Sequence, residues 1–193
     1  MKRENILDIL KKTKRLPQAV IPKDAGMIVA YTGVCSGWRV LDAGTGSGWL
    51  SMFLANIVNP GKVLSYEKRE DFAKNAQQQI RKYGISNLRI VNKDVLAIDV
   101  KGKYDLITLD MKDCEKAVGK LHKNLAPGGW FAVYSPHIEQ SVAVKDVMAE
   151  NSLKNINIIE NIAREWYSEH GFTHPVPSGI MHTGFLCFGK KQI

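Results

Sequence analysis

The chain has 193 residues, 45% hydrophobic and 24% charged, which supplies one sizeable core and excludes an intrinsically disordered chain. No apolar run reaches the ~18–20 residues needed to cross a bilayer, no apolar stretch of about 7–15 residues follows the basic N-terminus as in a secretory leader, and three scattered cysteines, Cys35, Cys114 and Cys187, read as reduced thiols of a cytoplasmic protein. The formal net charge is +8, and residues 1–23 carry seven Lys and Arg against two acids, a face that suits a polyanion or, as a plainer alternative, a solubilised helix.

Residues 3–15 read as a short amphipathic helix, with Ile6, Leu7, Ile9 and Leu10 set among charges. Pro17 and Pro22 punctuate the chain. Asp24 is placed to cap a second helix over residues 25–32, which Gly33 and Gly37 end. Strand and helix patterns then alternate. Residues 39–42 form a strand, 44–48 a glycine-rich turn and 49–57 a helix. A second strand covers 62–67, and a helix over 71–83 stops at Gly84. A third strand covers 88–92, and a fourth, nearly all apolar, covers 104–110. A helix over 115–125 ends at Pro127, Gly128 and Gly129; a fifth strand at 130–134 and a helix at 140–150 follow. The last strand-like runs, 156–164 and 184–188, have no helix between them, only an insert bearing Pro and Gly. The expectation is an α/β fold, Rossmann-like, with a mostly parallel seven-stranded sheet and an antiparallel edge formed by the C-terminal hairpin. It is read as one domain over 1–193, with a basic helical segment at 1–32 and the core at 33–193.

The sharpest chemical signal is Asp42-Ala43-Gly44-Thr45-Gly46-Ser47-Gly48, with Trp49 and Leu50 opening the helix behind it. Glycines at the carboxyl end of a strand let backbone approach a ligand, and the helix start offers free N–H groups. A dinucleotide site wants GxGxxG around a pyrophosphate, whereas this turn is GxGxG after an acid. That pattern suits S-adenosylmethionine, which has no phosphate and whose ammonium Asp42 is placed to meet, directly or through water. Glu67 ends the second strand, where an acid accepts from ribose hydroxyls. Asp94 and Val95 follow the third strand, placed to read the adenine amino group and ring edge; an Asp-led turn is the plainer alternative. Asp110 closes the fourth strand and faces the ligand crevice. The five histidines show no metal spacing.

DAGTGSG, YEKRED, the Asp94 turn, LD at 109–110, LAPGGWFAVYSP and IEQ run in an order that resembles class I S-adenosylmethionine-dependent methyltransferases. Two flanking segments, RLPQAVIPKDAGMIV at 15–29 and IMHTGFLCFGKK at 180–191, resemble more closely the tRNA adenine-N1-methyltransferases acting at T-loop position 57 or 58. The resemblance implies S-adenosylmethionine as cofactor and tRNA as partner, with Asp110 as the catalytic residue holding the adenine amino group. It also suggests Tyr134 and His182 on the substrate pocket, Gln18 and Lys23 at its mouth, and a homo-oligomer, dimer or tetramer. No membrane or metal is expected.

The chain departs from the family in three places: about 14 residues where the family carries an N-terminal domain, Met111-Lys112-Asp113-Cys114 in place of a Pro-x-Pro-Trp-like wall, and a reduced loop at 174–177. Two other readings stay open. One is a small-molecule methyltransferase, for example on corrinoid precursors; the other is a non-catalytic RNA-binding or partner subunit.

Overall fold

In a computed structural model, which describes residues 5–13, 20–177 and 182–193, the strands are β1 (Arg39–Ala43), β2 (Lys62–Glu67), β3 (Leu88–Asn92), β4 (Tyr104–Leu109), β5 (Leu125–Ser135), β6 (Lys154–Glu160), β7 (Trp166–Glu169), β8 (Phe172–Pro175) and β9 (Phe185–Lys190). The helices are α1 (Ile6–Lys12), α2 (Pro22–Thr32), α3 (Trp49–Val58), α4 (Glu70–Lys82), α5 (Cys114–Leu121) and α6 (Ile138–Glu150). Seven strands form one sheet in the order β3-β2-β1-β4-β5-β9-β6. β1 to β5 pair in parallel and β9 runs antiparallel to both β5 and β6. The expected seven-stranded, mostly parallel α/β sheet is therefore present. Its one antiparallel strand lies inside the sheet, while the edge strand β6 runs the same way as β5.

Side chains of successive residues leave opposite faces of a strand, so the central strands feed two cores. Val40, Leu106, Ala132 and Phe188 pack on one face with α2, α3 and α4. Leu41, Ile107, Phe131 and Cys187 pack on the other with α5 and α6. Phe131 and Phe188 are fully buried, each worth up to about 3 kcal/mol of transfer free energy.

Several boundaries differ from the sequence reading. The first helix is shorter than 3–15: Asn5 and Asp8 form a reciprocal cap and the helix stops at Lys12. α2 starts at Pro22, whose fixed φ and missing N–H suit a first helical position, so Asp24 lies inside the first turn and is not its cap. α5 ends at Leu121, a 3₁₀ turn spans His122–Asn124, and β5 begins at Leu125. The strand absorbs Pro127-Gly128-Gly129 because it passes close to β4: a Cβ on Gly129 would lie 2.9 Å from the Asp105 carbonyl oxygen. The insert carries a second sheet that the sequence reading lacked, the hairpin β7–β8. His170 and Gly171 turn it, both with positive φ, 50° and 82°, as a two-residue hairpin turn requires.

Candidate active site

Parallel strands put their carboxyl ends, and the loops that follow, on one edge of the sheet. The loops after β1, β2, β3 and β4 line a single cavity there. Gly44, Thr45, Gly46, Ser47, Trp49 and Leu50 line it together with Glu67, Asp94, Val95 and Asp110. Gly44 has φ +88°, and a Cβ built on it would lie 1.9 Å from the Asp110 carbonyl oxygen. Only glycine lets the β1 loop pass the end of β4 this closely. Gly48, at φ +81°, turns the chain into α3, and a Cβ there would lie 3.3 Å from the Ala76 methyl.

The acids are held differently. Glu67 is buried and accepts from Gly46 N and Arg69 N, each at 2.9 Å, through its two oxygens. Asp94 accepts from Leu96 N at 2.8 Å, the Asp-led turn of the plainer alternative, while still lining the cavity. Asp42 does not line it. It is 1% exposed and accepts from Ser65 Oγ at 2.5 Å and Thr108 Oγ1 at 2.7 Å. Ser65 in turn shares a 2.5 Å hydrogen bond with Thr45 Oγ1. Asp42 is thus tied through Ser65 to Thr45 of the glycine loop, behind the residues that line the cavity.

Burial pushes the Asp42 carboxyl up to about 6, although its two hydroxyl donors oppose the shift. Asp110 is pushed up to about 8, by burial first and then by the charges of Asp42 and Glu67. These acids converge without a compensating cation among them, an arrangement that favours a positively charged ligand. Ser47 adds a polar group without a partner: the residue lines the cavity and is 2% exposed, and its buried hydroxyl has no hydrogen-bond partner among the described residues.

Sequence reasoning missed Val20, Tyr66 and Phe72 on the apolar wall and Lys68, Arg69 and Lys93 at the mouth; Met111 and Lys112, singled out where the family carries its Pro-x-Pro-Trp-like wall, do line the cavity. Adjacency to Glu67 and Asp94 was the available signal for Tyr66, Lys68 and Lys93. The residues expected on the substrate side form a separate cluster. Lys23 Nζ donates to Asp24 Oδ1 at 2.7 Å, to Thr183 Oγ1 at 2.8 Å and to the Asn161 carbonyl. The Thr183 hydroxyl donates to Asp24 Oδ2 at 2.7 Å, and Asn161 Nδ2 returns a bond to the Lys23 carbonyl at 2.9 Å. The Tyr134 hydroxyl donates to the Thr183 carbonyl. This latch ties α2 to the loops after β6 and before β9. His182 pairs with Glu160 at 2.5 Å, and that hydrogen bond pushes its pKa up. Lys23, Tyr134 and His182 are not on the cavity wall, and Gln18 lies outside the described residues. Among those residues no group of three or more His, Cys, Asp or Glu is placed to hold a metal ion, and no helix is long and apolar enough to cross a membrane.

Comparison with known proteins decides the family. Residues 13–174 match the model of the tRNA methyltransferase complex GCD14 subunit. The chain belongs to this methyltransferase family. It is 32% identical to the tRNA (adenine(57)-N(1)/adenine(58)-N(1))-methyltransferase TrmI of Methanocaldococcus jannaschii, over 96% of this chain and 76% of that protein. Among solved structures, a SAM-dependent O-methyltransferase from Thermotoga maritima superposes with a TM-score of 0.90 at 31% identity, covering 98% of this chain and 72% of that one. The tRNA (m1A58) methyltransferase TrmI of Aquifex aeolicus does so with a TM-score of 0.89 at 26% identity, covering 99% and 77%.

Proposed function

We propose that this chain transfers a methyl group from S-adenosylmethionine to N1 of adenine in tRNA, acting as one catalytic domain in the cytoplasm. The observation that carries the reading is the position of Asp110, at the carboxyl end of β4 and in the same cavity as the glycine loop, Glu67 and Asp94. The cavity residues fit the cofactor: the unpartnered Ser47 hydroxyl and the uncompensated carboxyls suit a ligand bearing an ammonium, a sulfonium and a ribose. When bound, S-adenosylmethionine supplies an electrophilic methyl group on a positively charged sulfur.

Each residue then has a role. Glu67, with both oxygens already anchored, keeps further lone pairs for ribose hydroxyls. Asp94 and Val95 meet the adenine ring of the cofactor, while Tyr66 and Phe72 exclude water from it. Adenine N1 of the substrate has a free lone pair at neutral pH, so no base need remove a proton before attack, and alignment supplies most of the rate. In its ionised form Asp110 accepts from the substrate 6-amino group, which fixes that alignment and stabilises the charge developing on the ring. The latch of Lys23, Asp24 and Thr183 holds α2 against β9 and so shapes the substrate side from behind. The target adenine must be extruded from the folded tRNA, which costs a few kcal/mol.

The hairpin β7–β8 leaves Trp166 61% and Phe172 74% exposed, an apolar surface that supports association of copies of the chain. The activity test is transfer of a labelled methyl group to tRNA, followed by digestion and mass spectrometry of the nucleosides. The reading expects N1-methyladenosine. Methyl transfer to an oxygen acceptor, or only to a small molecule, contradicts it.

A further inference from the structure

Outside its acids the cavity mouth is basic. Lys68 and Arg69 follow β2, Lys93 follows β3 and Lys112 follows β4; all four are exposed and line the cavity. Arg69 is engaged, pairing with Asp71 at 3.0 Å and lying 3.6 Å over the Phe72 ring. The side-chain ammoniums of Lys68, Lys93 and Lys112 have no ion-pair or hydrogen-bond partner among the described residues. The acids nearby are already matched: Glu70 to Lys74 at 2.6 Å, Asp71 to Arg69, and Asp113 to Lys116 at 2.9 Å. The Asp113 carboxyl is held low by Lys116 first, and also by the charges of Lys112 and Lys68, which follow different strands.

The charges are segregated by depth. Glu67, Asp94 and Asp110 face the interior, where a cationic ligand is favoured; the lysines ring the outside, where the same cation is repelled. The rim therefore suits an anion that stays solvated. β3, β2, β1 and β4 are successive neighbours, so from the end of β3 to the end of β4 the rim runs about 15 Å at ~4.8 Å per strand, the reach of a short chain of phosphates and not of one small anion. We propose that Lys68, Lys93 and Lys112 bind the sugar-phosphate backbone of RNA beside the adenine presented to Asp110. The inference rests on the RNA reading above and adds where the RNA lies: across the mouth of the cofactor cavity.

The test compares two triple variants that remove the same charge. One is Lys68→Gln/Lys93→Gln/Lys112→Gln. The other is Lys62→Gln/Lys101→Gln/Lys154→Gln, exposed lysines at the amino-terminal ends of their strands or just before them. Affinity for a tRNA transcript is measured by fluorescence anisotropy over a range of salt, S-adenosylmethionine affinity by calorimetry, and folding by thermal melts. Each phosphate that is no longer neutralised lowers the slope of log Kd against log salt by roughly 0.7–0.9. The rim variant is expected to drop by about two units of slope and at least tenfold in affinity at ~0.1 M salt, a larger change than that in S-adenosylmethionine affinity, which calorimetry reads separately because these lysines also line the cofactor cavity. The control keeps most of its slope. Wild-type slope and affinity in the rim variant overturn the proposal, as does an equal drop in the control. Failure of the enzyme reading looks different: wild-type protein then binds tRNA with a steep slope and transfers no methyl to adenine. A wild-type protein that binds no tRNA overturns both.

Discussion

At the carboxyl ends of β1 and β2 several site groups are fixed by partners some twenty positions away, and Asp42 also by Thr108, 66 away. Thr45 meets Ser65 across 20 positions, Gly46 meets Glu67 across 21, and Ser65 meets Asp42 across 23. Around β5, β9 and β6 the corresponding partners are remote: Lys23 reaches Asn161 across 138 positions and Thr183 across 160. The two regions also differ in charge. The first gathers buried and half-buried acids, and two of them are pushed up to about 6 and about 8. The second matches Lys23 against Asp24 within a closed set of hydrogen bonds. The difference separates a site poised for a cationic ligand from a clamp that needs none.

Breaking the first region at its tightest point has the largest expected effect. Gly44→Ala forces a side chain at positive φ into the Asp110 carbonyl. It should destabilise by about 3 kcal/mol or more and lower S-adenosylmethionine affinity over a hundredfold, as read by melts and calorimetry. In the second region Lys23→Met leaves the buried Asp24 charge without its ammonium, at about 3 kcal/mol. The double variant Lys23→Met/Asp24→Leu should regain much of that. A raised KM with unchanged stability would instead make Lys23 a substrate contact.

The acid excess is tested by pH. Asp110 has a folded value of about 8 against an ordinary 3.8, so the native state holds a proton that the unfolded chain has released. Stability contributed by that protonated form is complete below about 4 and disappears as pH rises through about 8. Asp110→Asn removes this dependence. Its Tm should match wild type near pH 4 and exceed it clearly, by several degrees, at pH 8.5.

Ser65→Ala removes one of two hydroxyls on Asp42 and should cost about 1–2 kcal/mol, with cofactor affinity falling less than tenfold. The smallest effect belongs to the exposed pair. His182 has a raised value from Glu160, so its contribution is present below about 6.5 and disappears as pH rises through the higher folded value. His182→Ala should leave Tm unchanged at pH 8 and lower it slightly at pH 5.5.

What could be read in the sequence follows the same division. The β1 turn, Glu67, the Asp94 turn and Asp110 stand out because strand periodicity puts each at a strand end, and parallel pairing brings strand ends together. The destination of Asp42 was not legible, because it depends on cross-strand neighbours Ser65 and Thr108 that only the register supplies. Asp24 looked like a helix cap because its partner Thr183 lies 159 positions away. The hairpin β7–β8 is short, with all but Pro175 of its eight residues exposed, so no buried alternation marked it. The basic residues at the cavity mouth read as ordinary surface charge until the loops carrying them were brought side by side.

The central claim is that Asp110 serves methyl transfer to adenine N1. It is tested most directly by single-turnover transfer to tRNA with wild-type and Asp110→Ala protein, beside calorimetric S-adenosylmethionine affinities for both. The account predicts N1-methyladenosine from wild type and a rate at least a hundredfold lower from the variant, with cofactor affinity within about tenfold. Equal rates, or a drop wholly explained by weaker cofactor binding, would contradict it.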